Sequence, residues 1–412
     1  MGARGDFRND AAEGGMVVEL REDDVGENFA MPVRIARHDG RRRFIATRLN
    51  AKNQDGQTHT GAFRRVSGGL LADGRVVTRL APNFALMGRL RQALTSGPDP
   101  VQSAASTPLL RIGTRGSPLA LAQAHETRAR LAAAHGLDEA TMEIVVIKTS
   151  GDRIQDRSLS EAGGKGLFTK ELEEALFSRE IDIAVHSSKD VPTFLPEGLT
   201  LIAYLPREDV RDAFLSPIAD SIRDLPHGAV LGTSSLRRRA MALRVRPDLL
   251  VVEFRGNVQT RLTKLENGVA NGTLLALAGL RRLGLADLAT SVIELDDFLP
   301  AVGQGAVAVE GRADDTRVRD LLAAINDPAT EIALHAERAF LTRLDGSCRT
   351  PIGGLATLSG DELLFRGIVL SPDGRQSEAI RLTASFADAE RIGTAAADEL
   401  IGRGGKTFFT TG

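Results

Sequence analysis

The feature that most constrains this chain is a short apolar strand running directly into a hydroxyl-capped helix. Residues 109–114 read as a strand, followed by Arg115, Gly116, Ser117 and Pro118 and a helix to about Ala134. Ser117 is a good N-cap and Pro118 suits the first helical position. A turn at His135 and Gly136 leads to a second strand, 142–148. Strand–helix–strand in that order implies a parallel or mixed sheet, and so an α/β fold. The scheme returns twice more. Strand 229–232 precedes Thr233, Ser234 and Ser235 and a helix opening on Arg237, Arg238 and Arg239. Strand 249–254 precedes Arg255, Gly256 and a helix through Arg261 to about Asn267, and strand 273–277 leads to Arg281 and Arg282.

Five such junctions carry cations: Arg115, the Lys165/Lys170 segment, Arg237/Arg238, Arg255/Arg261 and Arg281/Arg282. Helix N-termini present unpaired N–H groups and a positive dipole end, so they attract anions. Arginines there are locally unfavourable by about 0.3–1 kcal/mol, which makes sense if an anion is to sit among them. The plain alternative is a set of solvated arginines. Residues 1–107 hold 16 of the 52 basic and 12 of the 54 acidic residues, so the remainder is net −6. A net acidic body argues against nucleic acid as a partner. The pattern suggests a cleft lined for a ligand with many anionic groups, which arginine grips bidentately.

Two further stretches carry chemistry. Strand 181–186 ends in Ser187, Ser188, Lys189 and Asp190, which puts an acid where α/β proteins bind ligands. Lys189 beside Asp190 can hold the carboxylate ionised until it must exchange a proton, although a surface ion pair would look the same. The Gly-rich loop around Lys165 is not a phosphate-binding Walker A motif, since Gly166 follows the lysine. Cys348 is the only cysteine in the chain, so it forms no internal disulfide and is either inert packing or a reactive thiol. Gly346, Ser347, Thr350, Pro351 and Gly353 read as an exposed loop, and Arg349 would favour the thiolate.

Crossings between domains are expected near 206–210 and 300–305. The expected divisions are 108–206 with 306–325, then 211–300, then 328–412 as a small α+β domain containing the cysteine loop. Residues 1–107 are expected to be a poorly ordered or loosely folded extension, with a small add-on domain as the alternative. No run of about 20 apolar residues suggests a membrane span. The lack of disulfides fits a reducing compartment, and the N-terminus lacks the apolar core of a secretory signal, so a cytoplasmic location is expected.

Seven ordered blocks resemble the porphobilinogen deaminase family: RIGTRGSPLAL at 111–121, GGKGLF at 163–168, HSSKDVP at 186–192, GTSSLRR at 232–238, RGNV at 255–258, LPAVGQGA at 299–306 and GSC at 346–348. The resemblance implies two domains like periplasmic binding proteins, with mixed sheets, joined by a hinge to each other, plus the third domain. It implies that Cys348 holds a dipyrromethane cofactor through a thioether. Porphobilinogen units would be added to that primer with loss of ammonia, and the growing oligopyrrole would finally be released by water. Asp190 would be the catalytic carboxylate. Lys189, Ser234, Ser235, Arg237, Arg238, Arg255 and Gly256 would meet the cofactor, together with Asp190. Arg115, Ser117, Lys165, Phe168, Arg261, Arg282 and Gln304 would meet the substrate. No metal and no membrane partner are expected, and the protein is expected to be a monomer. Glu161 departs from the lysine that some members carry, which leaves one of the anion contacts implied by the resemblance in question but not the reaction. A two-lobed binding protein without chemistry is the main alternative. A Cys–His thiol enzyme is disfavoured, because no histidine lies in the Cys348 loop.

Overall fold

The computed structural model describes residues 108–153, 168–344 and 351–404, and four short strands nearer the N-terminus. Those four are β1 (Gly5–Asn9), β2 (Met16–Leu20), β3 (Leu49–Lys52) and β4 (Thr58–Gly61), which pair as two antiparallel ribbons, β1 with β2 and β3 with β4. They belong to a unit spanning Met1–Val101, and the rest of the chain forms a second unit. Met16–Leu20 and Gly69–Leu71 both look strand-like in the sequence; the first is β2, and the second lies outside the described residues.

The second unit opens with the expected strand–helix–strand. β5 (Leu110–Arg115) runs parallel to β6 (Met142–Ile147), with α1 (Pro118–His135) between them. The Ser117 hydroxyl accepts from the Ala120 N–H at 3.3 Å, and Gly136 closes the helix in the left-handed region. The helical turn α2 (Ser150–Arg153) and helix α3 (Lys170–Phe177) precede β7 (Ile183–Ser187) and β8 (Leu199–Tyr204). Much later β14 (Val307–Arg312) inserts antiparallel between β7 and β8, giving the order β6-β5-β7-β14-β8. Both faces of this sheet are covered. Ile112, Ile183, Val185 and Val309 pack with Ala124 and Leu131 of α1, while Ala184 packs with Leu172 and Leu176 of α3. Burying each of these Ile, Val and Leu side chains contributes about 1.5–3 kcal/mol.

The second sheet is built by β9 (Asp212–Leu215), β10 (Val230–Gly232), β11 (Leu250–Val252), β12 (Gly272–Ala276) and β13 (Ser291–Val292), in the order β11-β10-β12-β9-β13. It too is mixed: β10 is parallel to its neighbours and β9 is antiparallel to both of its own. The helices α4 (Leu236–Val245), α5 (Val258–Glu266) and α6 (Leu277–Arg282) follow β10, β11 and β12. β9 begins just past the crossing expected near 206–210. α7 (Thr316–Ala323), capped by Asp315, follows β14.

The last part pairs α8 (Pro328–Arg343) and α9 (Ala389–Gly402) against an antiparallel meander of β15 (Ile352–Ser359), β16 (Glu362–Leu370) and β17 (Ser377–Ser385). Phe340, Phe365, Val369, Ala396 and Leu400 form its core. Gly393 is required there, because a Cβ would lie 2.0 Å from the Ala336 carbonyl oxygen. One buried acid ties this part to both crossings. Glu337 of α8 accepts from Arg207 at 2.6 and 3.0 Å, from the Gly303 N–H at 2.8 Å and from the Ala356 N–H at 2.9 Å.

Candidate functional site

The site begins at the C-terminal end of β7. After Ser187 the chain makes one tight turn, Ser188–Asp190, fixed by the Ser188 N–H on the Ala306 carbonyl at 3.0 Å and by the Val191 N–H on the Ser188 carbonyl at 3.2 Å. The return crossing lies against this turn. Gly303 has φ +74°, and a Cβ there would sit 2.9 Å from the Ser188 hydroxyl and 3.0 Å from the Lys189 nitrogen. Both conditions demand glycine.

Asp190 is exposed, and its carboxylate has no hydrogen bond or ion pair among the described residues. It lines a small cleft with Arg115, Ser117, Phe168, His186 and Ser187. The Arg115 guanidinium lies over the Phe168 ring, 4.1 Å from its centroid. His186 is buried and its Nε2 meets Glu310 Oε2 at 2.9 Å. Lys189 donates to Gln304 Oε1 at 3.4 Å. Burial first, and the nearby Arg238 second, pull the Lys189 ammonium down to about 8.

The second sheet contributes the cations. Ser235 caps α4 by accepting from the Arg238 N–H, and Ser234 accepts from the Phe254 N–H at 2.9 Å. Arg237 and Arg238 are buried, and the anion they hold in this structure is the chain's own Asp212. Arg237 Nη2 and Arg238 Nη2 each reach that carboxylate at 2.7 Å, and Gln304 Nε2 donates to it at 2.8 Å. Arg237 also donates to the Leu299 carbonyl and Arg238 to the Leu274 carbonyl. Arg261 of α5 donates to the Gly256 carbonyl at 3.0 Å. Burial, and then the positive charge of Arg238, bring its guanidinium down to about 10, with Asp190 opposing and Arg255 adding to the shift. Arg282 is engaged across the two lobes: its Nε meets Glu126 of α1 at 3.0 Å and its Nη1 the Gly305 carbonyl at 3.0 Å.

Thus the structure brings Lys189 within electrostatic reach of Asp190 and Arg238, and Arg261 within reach of Asp190, Arg238 and Arg255. Arg115, Ser117 and Phe168 share the Asp190 cleft, and Gln304 links Lys189 to Asp212. Lys165, Glu161 and Cys348 lie outside the described residues. Sequence reasoning missed Asp212, Glu310, Glu126 and Glu337. Apart from the Arg130 that also engages Glu126, their partners lie far away along the chain, and the only local signal at Asp212 was an acid leading into the apolar Ala213, Phe214 and Leu215. Among the described residues no cluster of His, Cys, Asp and Glu could hold a metal, and no helix is long and apolar enough to cross a membrane.

These features define a class: an α/β protein of two mixed-sheet lobes, with a carboxylate that has no hydrogen bond or ion pair among the described residues and lies within electrostatic reach of buried cations, and a third α+β domain. A sequence-family model described as the dipyromethane cofactor binding domain of porphobilinogen deaminase matches residues 110–320, and one for the C-terminal domain of porphobilinogen deaminase matches 332–402. The porphobilinogen deaminase of Nitrobacter winogradskyi is 60% identical over 75% of this chain and 98% of its own length. That of Paracoccus denitrificans is 59% identical over 77% of this chain and 99% of its own. Among solved structures, the methionine binding protein MetQ is similar at 14% identity and a TM-score of 0.36, covering 54% of this chain and 91% of that one. The chain belongs to the porphobilinogen deaminase family.

Proposed function

We infer that this chain is a transferase that condenses four porphobilinogen molecules head to tail, losing one ammonia per step, and releases the linear hydroxymethylbilane by hydrolysis. A non-catalytic two-lobed binding protein is disfavoured by the family membership. The supporting observation in the structure is a field of like charges. Beyond burial, Arg238 lowers the protonation of Lys189, and Arg238 and Arg255 lower that of Arg261, while Asp190 opposes both shifts. Incoming carboxylates would relieve that repulsion, and each pyrrole unit brings an acetate and a propionate. The residues therefore fit a dipyrromethane, which when bound supplies the free pyrrole end onto which the units are joined.

Asp190 is the catalytic carboxylate in this reading. As an acid it gives a proton to the departing amine. As a carboxylate it then holds the positive charge that develops on the pyrrole nitrogens, through preorganised electrostatics of the oxyanion-hole kind with the sign reversed. Lys189, Arg238, Arg255 and Arg261 bind carboxylates, and Arg115 and Ser117 orient the unit beside Asp190. Cys348 is the tether. The working divisions are 108–206 with 306–325, 211–300 and 328–412, and the enzyme acts as a cytoplasmic monomer. Intact mass tests this reading: an adduct of two pyrrole units is expected on the purified protein and lost in Cys348→Ser. An unmodified protein that forms hydroxymethylbilane at full rate would sink it, and a mass matching one monomer in native spectra checks the assembly.

A further inference from the structure

The exposed Asp190 carboxylate has no hydrogen bond or ion pair among the described residues, so among them its backbone is what holds it in place. On the N-terminal side of Asp190 the β7–β14 ladder does this, continued by the Ser188 N–H on Ala306. On the C-terminal side the chain leaves the sheet through Val191, Pro192 and Thr193. There all three carbonyls converge on one guanidinium. Arg338 Nη2 donates to the Pro192 carbonyl at 2.7 Å and to the Thr193 carbonyl at 3.3 Å, and Nη1 to the Val191 carbonyl at 3.5 Å. The side chain lies where burial and the neighbouring Tyr204 and Glu310 act on its charge, so it is packed against the first lobe.

Arg338 belongs to α8, in the third domain, and its neighbour Glu337 fixes that helix to both crossings. The same helix ends at Arg343, five residues before Cys348. We propose that Arg338 is a positioning residue: it sets the Asp190 turn in register with the helix that leads to the primer's tether. The proposal rests on Asp190 being the catalytic carboxylate. Five N–H donors in a rigid fork suit three adjacent carbonyls, whereas a lysine ammonium offers a single mobile point charge.

The test compares Arg338→Met, Arg338→Lys and Asp190→Asn, each isolated with its Cys348 adduct verified by intact mass. Arg338→Met is expected to lower kcat by about 10–100-fold, as a misplacement near 1 Å does, with KM for porphobilinogen within about threefold. Arg338→Lys, which keeps the charge, is expected to fold normally and lose about threefold to tenfold in kcat. Combining Arg338→Met with Asp190→Asn should be no slower than Asp190→Asn alone, because both act through one group. A purely structural role would lower the melting temperature and leave kcat per folded, loaded enzyme unchanged. A parent-like kcat in Arg338→Met, or in Arg338→Lys should the former not fold, overturns the proposal while an inactive Asp190→Asn leaves the catalytic reading standing. Full activity in Asp190→Asn removes both.

Discussion

Two aspartates at strand ends in the two sheets have opposite fates. Asp212 opens β9, is fully buried, and receives two arginines and a glutamine. Asp190 follows β7, is exposed, and has no partner among the described residues. Burial opposes ionisation of Asp212, but Arg237 and Arg238 outweigh it and hold the carboxyl well below its usual range. One amide joins the two environments, since Gln304 donates to Asp212 and accepts from Lys189 beside Asp190. The contrast separates two uses of one side chain. A carboxylate whose charge is answered inside the protein holds the fold together, whereas one left unanswered is available to a ligand.

Replacement of each aspartate should therefore fail in a different way. Asp190→Asn is expected to lose about 10²–10⁴-fold in kcat, the usual contribution of a positioned acid–base group, with its melting temperature and adduct unchanged. Steady-state tetrapyrrole formation and intact mass check this together. A destabilised Asp190→Asn would erase the contrast. Asp212→Ala should instead lose about 3–5 kcal/mol in urea unfolding, because it strands two buried guanidinium groups. The carboxyl is depressed in the folded state, so its stabilisation is present above its unfolded value near 4 and is lost as pH falls through the folded one. The acid limb of stability should be shallower in Asp212→Ala, and an unchanged limb would count against the pairing.

Lys189 gives a smaller effect at the boundary between the two environments. Its ammonium loses its proton from about 8 upward in the free site, so anion binding should weaken as pH rises. The kcat/KM profile reports the free site, so its midpoint should fall at about 8 with a loss of up to about tenfold per pH unit beyond it, while bound carboxylates favour the charged form and should move the matching limb of kcat to higher pH. Lys189→Arg should move that limb to higher pH, and a limb that stays in place would assign it to another group.

Much of this architecture is written locally. Ser117, Pro118 and Gly136 mark the first helix, and the position of Asp190 after an apolar strand marks the site end of the sheet. What the residues alone did not disclose was which charges answer one another. Arg237 and Arg238 read as ligand-binding groups because nothing adjacent opposes them, and their partner Asp212 lies 25 and 26 positions earlier in the chain. Asp212 in turn sits in a run of charged residues that hides the start of β9. α7 escaped notice because its apolar face is only Val318 and Leu322 on an otherwise charged segment.

The smallest expected effect concerns a pair that stands between these extremes. Glu126 and Arg282 join α1 to α6 at 3.0 Å, with Glu126 about a quarter exposed and also engaged by Arg130. A partly solvated pair of this kind contributes about 0–1 kcal/mol, so Glu126→Gln should leave unfolding nearly unchanged. Its informative effect is on KM. If Arg282 exchanges Glu126 for a substrate carboxylate, Glu126→Gln removes a competitor and lowers KM by about twofold to threefold, while Arg282→Met raises it. If the pair serves only to hold the lobes together, the two variants shift KM in the same direction. Opposite shifts would place Arg282 with Asp190, among charges kept for the ligand, and parallel shifts would place it with Asp212, among charges spent on the fold.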